Sequence, residues 1–373
     1  MMDKRAAEFL YACSSPAFER KSLERRHSRS TMCIRQSKYA GAVQNDQYDT
    51  SKMKHKDEED RRSYVLLDYH ACPEYLKDNE YIHSHYRAGL TFRQALTSLF
   101  RWHNETLNIW THLVGFMLFL ILTMSAVLEE GNMEMIARNT SDGELSLNIS
   151  KHCLMGSILR DADKTVQQVT TRRVTRWPFF VFMCGSMFCL LASTLCHLFT
   201  CHSHAIASLL LRVDYAGIAV MIVTSFFPPV FYVFQCEPAW AWLYLTAIST
   251  MGAATLGVIL APALQNGIYR SLRALLFMAL GLSGFIPAIH GILRNRGETV
   301  MPVTVGLELG MAGCYILGTC IYMVRVPERW KPGCFDLGGH SHNIFHVMVL
   351  GGAIFHYRAA TLFLEWRETK GCM

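Results

Sequence analysis

The chain has 373 residues, 51% of them hydrophobic, and a formal net charge of +6. Its apolar residues fall in long blocks, which excludes an ordinary soluble domain, and the modest positive balance suits an anionic membrane surface rather than a nucleic-acid groove. The thirteen cysteines show no C-x-x-C and no scaffold spacing, so most read as reduced packing residues.

Residues 1–62 are poor in aliphatic side chains, rich in charge, and end in KMKHKDEEDRR. They read as a disordered, solvated cytosolic tail. No signal peptide is visible at the N-terminus, so the first apolar span is expected to serve as its own insertion signal. A juxtamembrane segment, 63–104, follows. Within it TFRQALTSLFRWH, Thr91 to His103, sets Phe92, Leu96, Leu99 and Phe100 on one face. This spacing predicts a short amphipathic helix lying on the membrane surface.

Residues 105–366 hold seven apolar blocks, at Leu107–Leu128, Trp177–Phe199, Val213–Phe234, Trp240–Leu260, Ala274–Leu293, Val303–Val324 and Asn343–Phe363. Each is roughly 20 residues, enough to cross about 30 Å of hydrocarbon as a helix. The fold class is therefore all-α: a seven-transmembrane-helix bundle. Pro228-Pro229 and Pro287 mark kinks, and Gly115, Gly185, Gly217, Gly252, Gly281, Gly284 and Gly351-Gly352 suit close helix packing.

Seven spans put the termini on opposite sides. Basic residues in the short loops balance across the membrane, so the positive-inside rule does not decide the orientation. The sequons at Asn139 and Asn148, between spans one and two, make sense only outside the cytosol. With the basic tail, they favour a cytosolic N-terminus and an extracellular C-terminus.

Polar residues then gather on one side. Span two ends in LLASTLCHLFTCHSH, span three begins LLRVDYAGIAV, and span seven begins GGHSHNIFH. His342 and His346 are four apart, hence on one helix face. An imidazole at membrane depth needs a partner. With His197 they make the protein part of an open, three-histidine zinc site. Asp214 is placed to hold and deprotonate a water there, and Ser193, one turn before His197, to bind that water or a substrate oxygen.

Simpler readings stand beside this one. The two span-seven histidines can bond backbone carbonyls near a helix end, and Asp214 can pair with Arg212 or Arg325. Cys201 is a possible soft fourth ligand that would make the site structural, whereas Cys196 points away. His202, His204 and His340 lie at the water interface. His112, His290 and His356 read as structural, and Glu308 in span six calls for a partner that the sequence does not name.

HNETLNIWTHLVGF, STLCHLFTCHS, LRVDYAGIA and RVPERWKPGCFDLGGHSHNIFHVMV resemble, in order and spacing, the progestin and adipoQ receptor (adiponectin receptor-like, haemolysin III related) family. The likeness runs from about Leu66 to Cys372. RWPFFVFMCGSMFCLL, SFFPPVFY and AIFHYRA look most like its plant heptahelical members. The resemblance implies an orientation opposite to that of G-protein-coupled receptors and Zn²⁺ near the cytosolic leaflet. By motif, the zinc histidines fall on His197, His342 and His346, the acid beside the zinc water on Asp214, and the serine on Ser193.

The family's adiponectin receptors are proposed to hydrolyse the amide of ceramide, alkaline ceramidases share a similar His, Asp and Ser set, and the plant members are linked to hormone and stress responses. The expectation is a zinc-containing receptor-like protein of the plasma membrane. Its partners are membrane lipid, a lipid or hormone ligand, and a cytosolic signalling partner. The alternatives are a zinc-dependent lipid amide hydrolase acting in the membrane, whose product is the signal, and a zinc that only staples spans two and seven. Span three lacks a terminal D-R-Y and span seven lacks N-P-x-x-Y, which disfavours a G-protein-coupled receptor. No span carries a polar stripe along its length, which disfavours a channel.

Overall fold

The computed structural model describes residues 64–150, 174–264 and 267–372, with residues 133, 134 and 136–150 described by their backbone alone. The expected tail at 1–62 lies outside the described residues. From Val65 onward the chain forms one compact unit. Among the described residues the structure is helical, with no strand beyond a lone bridge between Leu67 and Tyr86. The helices are α1 (Phe92–Thr97), α2 (Thr106–Ser150), α3 (Trp177–Phe199), α4 (His204–Ser225), α5 (Phe227–Val233), α6 (Pro238–Ile259), α7 (Arg270–Leu282), α8 (Phe285–Arg294), α9 (Val300–Val324) and α10 (Ser341–Lys370).

Seven spans are long and apolar enough to cross a membrane: Thr106–Asn132, Trp177–Phe199, His204–Val233, Pro238–Ile259, Gly267–Arg294, Val300–Val324 and Ser341–Lys370. Two of them are broken helices. Span three is α4 followed by α5, divided just before Pro228-Pro229. Span five is α7 followed by α8, divided just before Pro287. Proline removes a backbone donor and clashes with the preceding turn, so the interruption falls where the sequence places it. Span three also begins nine residues earlier than its apolar block does. Ser203 caps it, its hydroxyl accepting from the Ile206 N–H, and the helix then runs through Arg212.

Small residues set the closest helix contacts. A Cβ on Gly217 would stand 3.0 Å from the Cys189 backbone, bringing α4 onto α3. Gly352 of α10 leaves room for the Tyr315 ring of α9. Gly281 has nothing within 4 Å of such a Cβ, so the packing role expected of it is not observed.

The amphipathic segment is shorter than its pattern. Thr91 and Gln94 form a capping box that starts α1, and after a 3-10 turn over Ser98–Phe100 the chain turns extended at Arg101. Phe92, Leu96 and Phe100 are exposed on it.

Two anchors hold the ends of the bundle. At one, Arg87 donates to the His197 and Leu198 carbonyls at 2.7 and 3.4 Å, meeting orphan acceptors at the C-terminus of α3. At the other, Arg367 donates to the Tyr232 and Val233 carbonyls at the C-terminus of α5. Beside it Cys236 and Cys372 form a disulfide. This pair departs from the general expectation of reduced cysteines. It forms because the chain end folds back to the loop after α5, which cysteine spacing along the sequence does not reveal.

Candidate metal centre

α10 starts where a buried carboxylate waits for it. Glu328, fully buried, accepts from the Ser341 N–H at 2.7 Å, from the Ser341 hydroxyl, and from the Asn79 amide at 3.1 Å. A negative charge suits a helix N-terminus, and this one fixes the first turn of α10. His342 therefore follows immediately, and His346 stands one turn on.

One ligand atom each from His197, His342 and His346 lie within 4.8 Å of one another. The Nε2 atoms of His197 and His342 are 3.3 Å apart. That is about the edge of a tetrahedron with metal–nitrogen bonds of ~2.0–2.1 Å. On two of the three histidines the other ring nitrogen is already engaged. His197 Nδ1 meets Glu105 Oε2 at 2.8 Å, and His346 Nδ1 meets the Asn108 carbonyl oxygen at 3.2 Å. A carboxylate or carbonyl on Nδ1 fixes the tautomer and leaves Nε2 with a free lone pair, which is how metal-binding histidines are usually held. The donor set thus fits a divalent cation that takes imidazole, as zinc does.

Asn108 ties this network together. Its amide donates to Glu105 Oε2 at 2.6 Å, and its side-chain oxygen accepts from Asn343 at 2.6 Å. Burial pushes the Glu105 carboxyl up, but His197 beside it, helped by His342 and Asn108, pulls harder and holds it well below the usual carboxylate range.

Asp214 stands on α4, within electrostatic reach of His197, and lines the cavity together with Ser193. Neither Arg212 nor Arg325 is its partner in any contact observed; Arg325 pairs with Glu80. Cys201 is not part of the cluster, and its thiol donates to the Leu198 carbonyl at 3.4 Å. All five expected residues line one cavity of about 1320 Å³ that extends into the bundle.

Three residues beyond the sequence reading belong here. Glu105 and Asn108 sit inside the HNETLNIW motif, but their partners are far along the chain. His112, which reads from the sequence as structural, stacks its ring on His346 at 3.7 Å and so lies against the cluster. Glu308 also gains its missing partner, His356, at 3.0 Å.

Comparison with known proteins agrees with this architecture. Residues 100–357 match the family described as haemolysin-III related. The chain belongs to that family, within its adiponectin-receptor-like heptahelical membrane proteins. It is 49% identical over 307 residues to heptahelical transmembrane protein 1 of Arabidopsis thaliana, covering 82% of this chain and 83% of that one. It is 46% identical over 333 residues to heptahelical transmembrane protein ADIPOR1 of Oryza sativa subsp. japonica, covering 84% and 88%. The adiponectin receptor protein of Drosophila melanogaster is 33% identical over 307 residues, covering 82% of this chain and 61% of its own length. This haemolysin-III-related chain is therefore an integral, multi-pass membrane protein.

Proposed function

We propose that this protein is a zinc-containing receptor-like protein of the adiponectin receptor type, acting in hormone or stress signalling at the plasma membrane. The observation that carries the reading is the three-histidine cluster at one end of a large cavity lined mostly by apolar side chains. Such a cavity suits a lipid. A ligand seated between the broken spans three and five and α10 has differential contacts with which to shift their packing, which is what a receptor needs.

Two independent features support the orientation with a cytosolic N-terminus. The sequons at Asn139 and Asn148 come after the first span, and the Cys236–Cys372 disulfide comes after α5 and α10. Disulfides and glycans both belong to the extracytosolic side. Along α10, His342 and Lys370 are about 40 Å apart at 1.5 Å per residue, so the histidines take the cytosolic side. The N-terminal tail then lies in the cytosol, where a signalling partner meets it.

A second reading, hydrolysis of a lipid amide, is favoured by Asp214 and Ser193 beside the cluster. Zinc, when bound, supplies Lewis-acid chemistry that makes water a nucleophile near neutral pH. The chain's own residues do the rest. Glu105 and Asn108 hold His197 and His346 in the tautomer that binds. Asp214 accepts a proton from the attacking water and returns one to the departing amine. Ser193 donates to Asp214, or to the substrate carbonyl oxygen where charge develops. The apolar walls hold the acyl chain and exclude bulk water. Receptor and hydrolase are one function if the released lipid is the signal.

The test is a lipid comparison of membranes bearing wild-type protein or Asp214→Asn. Amide-linked lipids should fall and free fatty acids rise only with wild type. Equal lipid profiles would remove the hydrolase reading and leave the receptor without chemistry.

A further inference from the structure

Deep in the bundle, well away from the histidine cluster, a second pair of ionisable side chains faces the same cavity. His356 lies ten residues beyond His346 on α10, about 15 Å further along the helix. It is 1% exposed. Its Nδ1 meets Glu308 of α9 at 3.0 Å, and Phe182 of α3 packs against the ring at 4.6 Å. Both His356 and Glu308 line the cavity. His356 Nε2 is buried and has no hydrogen-bond partner within the protein, while both Glu308 oxygens lie 3.0 Å from Nδ1.

An ionisable pair at membrane depth is costly to keep and calls for a function. As a staple between α9 and α10, a pair of apolar side chains would serve at least as well. With Nδ1 turned to the carboxylate, Nε2 is the ring nitrogen left to donate, and the carboxylate oxygens keep lone pairs that can accept. The pair therefore offers the cavity one donor and one acceptor. A hydroxyl group, itself one donor and one acceptor, complements that offer; a bare methylene chain does not.

We propose that Glu308 and His356 form a second polar subsite that binds the hydroxyl of a long-chain lipid whose head group lies at the histidine cluster. The inference rests on the reading of the cavity as a lipid site and names the class of lipid: a chain hydroxylated far from its head. An extended chain advances roughly 1.2 Å per bond, so about 15 Å places the hydroxyl about twelve bonds away. The subsite selects among lipids by adding a hydrogen bond for a hydroxylated chain and leaving the buried Nε2 unsatisfied with a plain one.

The test uses purified full-length protein in lipid nanodiscs and two probes, dodecanoic acid and ω-hydroxydodecanoic acid, each displacing a fluorescent fatty acid. Wild type should prefer the hydroxylated probe by about tenfold, the order of one buried hydrogen bond. His356→Asn keeps a donor where Nδ1 stands, hence the bond to Glu308, but removes Nε2. It should bind the plain probe at least as tightly as wild type does and lose the preference, and Glu308→Gln should lower it. Binding of the plain probe reports that each variant is folded. If wild type binds both probes equally, the subsite is wrong and the lipid cavity stands. If the preference survives His356→Asn, the hydroxyl is held elsewhere. If neither probe binds wild type, the lipid reading of the cavity falls and the subsite with it.

Discussion

Two carboxylates approach the histidine cluster, and they differ in what they touch. Glu105 bonds His197 Nδ1 directly and shares Asn108, whereas Asp214 faces the cavity beside Ser193. A group that orients a ligand and a group that moves a proton should fail differently. Glu105→Ala leaves the His197 tautomer unfixed and is expected to weaken metal binding about 10–100-fold, read by competition with a chelator. Asp214→Asn should keep the metal and lose lipid amide hydrolysis by about 10²–10⁴-fold. Unchanged metal affinity in Glu105→Ala would remove its positioning role. The histidines were legible because their signal is local: His342 and His346 are one turn apart in an apolar run. Glu105 was not, because a glutamate at a span's start looks like an ordinary interfacial charge until His197, 92 residues on, is seen against it. Glu308 announced itself as a misplaced charge, but only the packing of α9 on α10 supplies His356.

At the scale of elements, the site depends on how α10 begins. Glu328→Ala would leave the Ser341 N–H, the Ser341 hydroxyl and the Asn79 amide without their acceptor. Each buried unsatisfied group costs about 1–3 kcal/mol, so the melting temperature should drop by several degrees. A variant as stable as wild type would show that the helix start is held by other means. The segment before span one carries a pH dependence of its own. Burial, with Arg87 nearby, holds His103 down at about 3. The unfolded chain takes up that proton near pH 6.5, so between about 6.5 and 3 the unfolded state binds more protons and stability falls as pH falls. His103→Gln should flatten this part of the stability–pH curve; an unchanged slope would mean that His103 is protonated when folded. The elements themselves were legible to within a turn or two, with three informative exceptions. α2 runs on to Ser150, past the end of its apolar block at Leu128, because hydropathy marks only the apolar part of a helix. Span three starts early because Ser203 caps a helix that hydropathy alone does not see. The surface helix stops early because hydrophobic spacing cannot register a 3-10 turn.

The whole molecule is a bundle with chemically different ends: histidines and carboxylates at one, a disulfide at the other. Seven spans and the kinks at Pro228-Pro229 and Pro287 were legible because hydrocarbon thickness and proline stereochemistry act along the chain. The disulfide was not, since Cys236 and Cys372 are 136 residues apart and meet only when the bundle closes. An epitope placed before Lys52 should be reached only in permeabilised cells, and one placed after Lys370 without permeabilisation; both on one face would contradict a seven-span chain. The central claim is that the three histidines converge to hold a metal. The most direct measurement is the metal content of the purified full-length protein. About one zinc per chain is expected for an open site of this kind. The His342→Ala, His346→Ala double variant should lose it and melt at a lower temperature, because metal binding adds to folding free energy. A double variant that keeps its full zinc content would contradict the account.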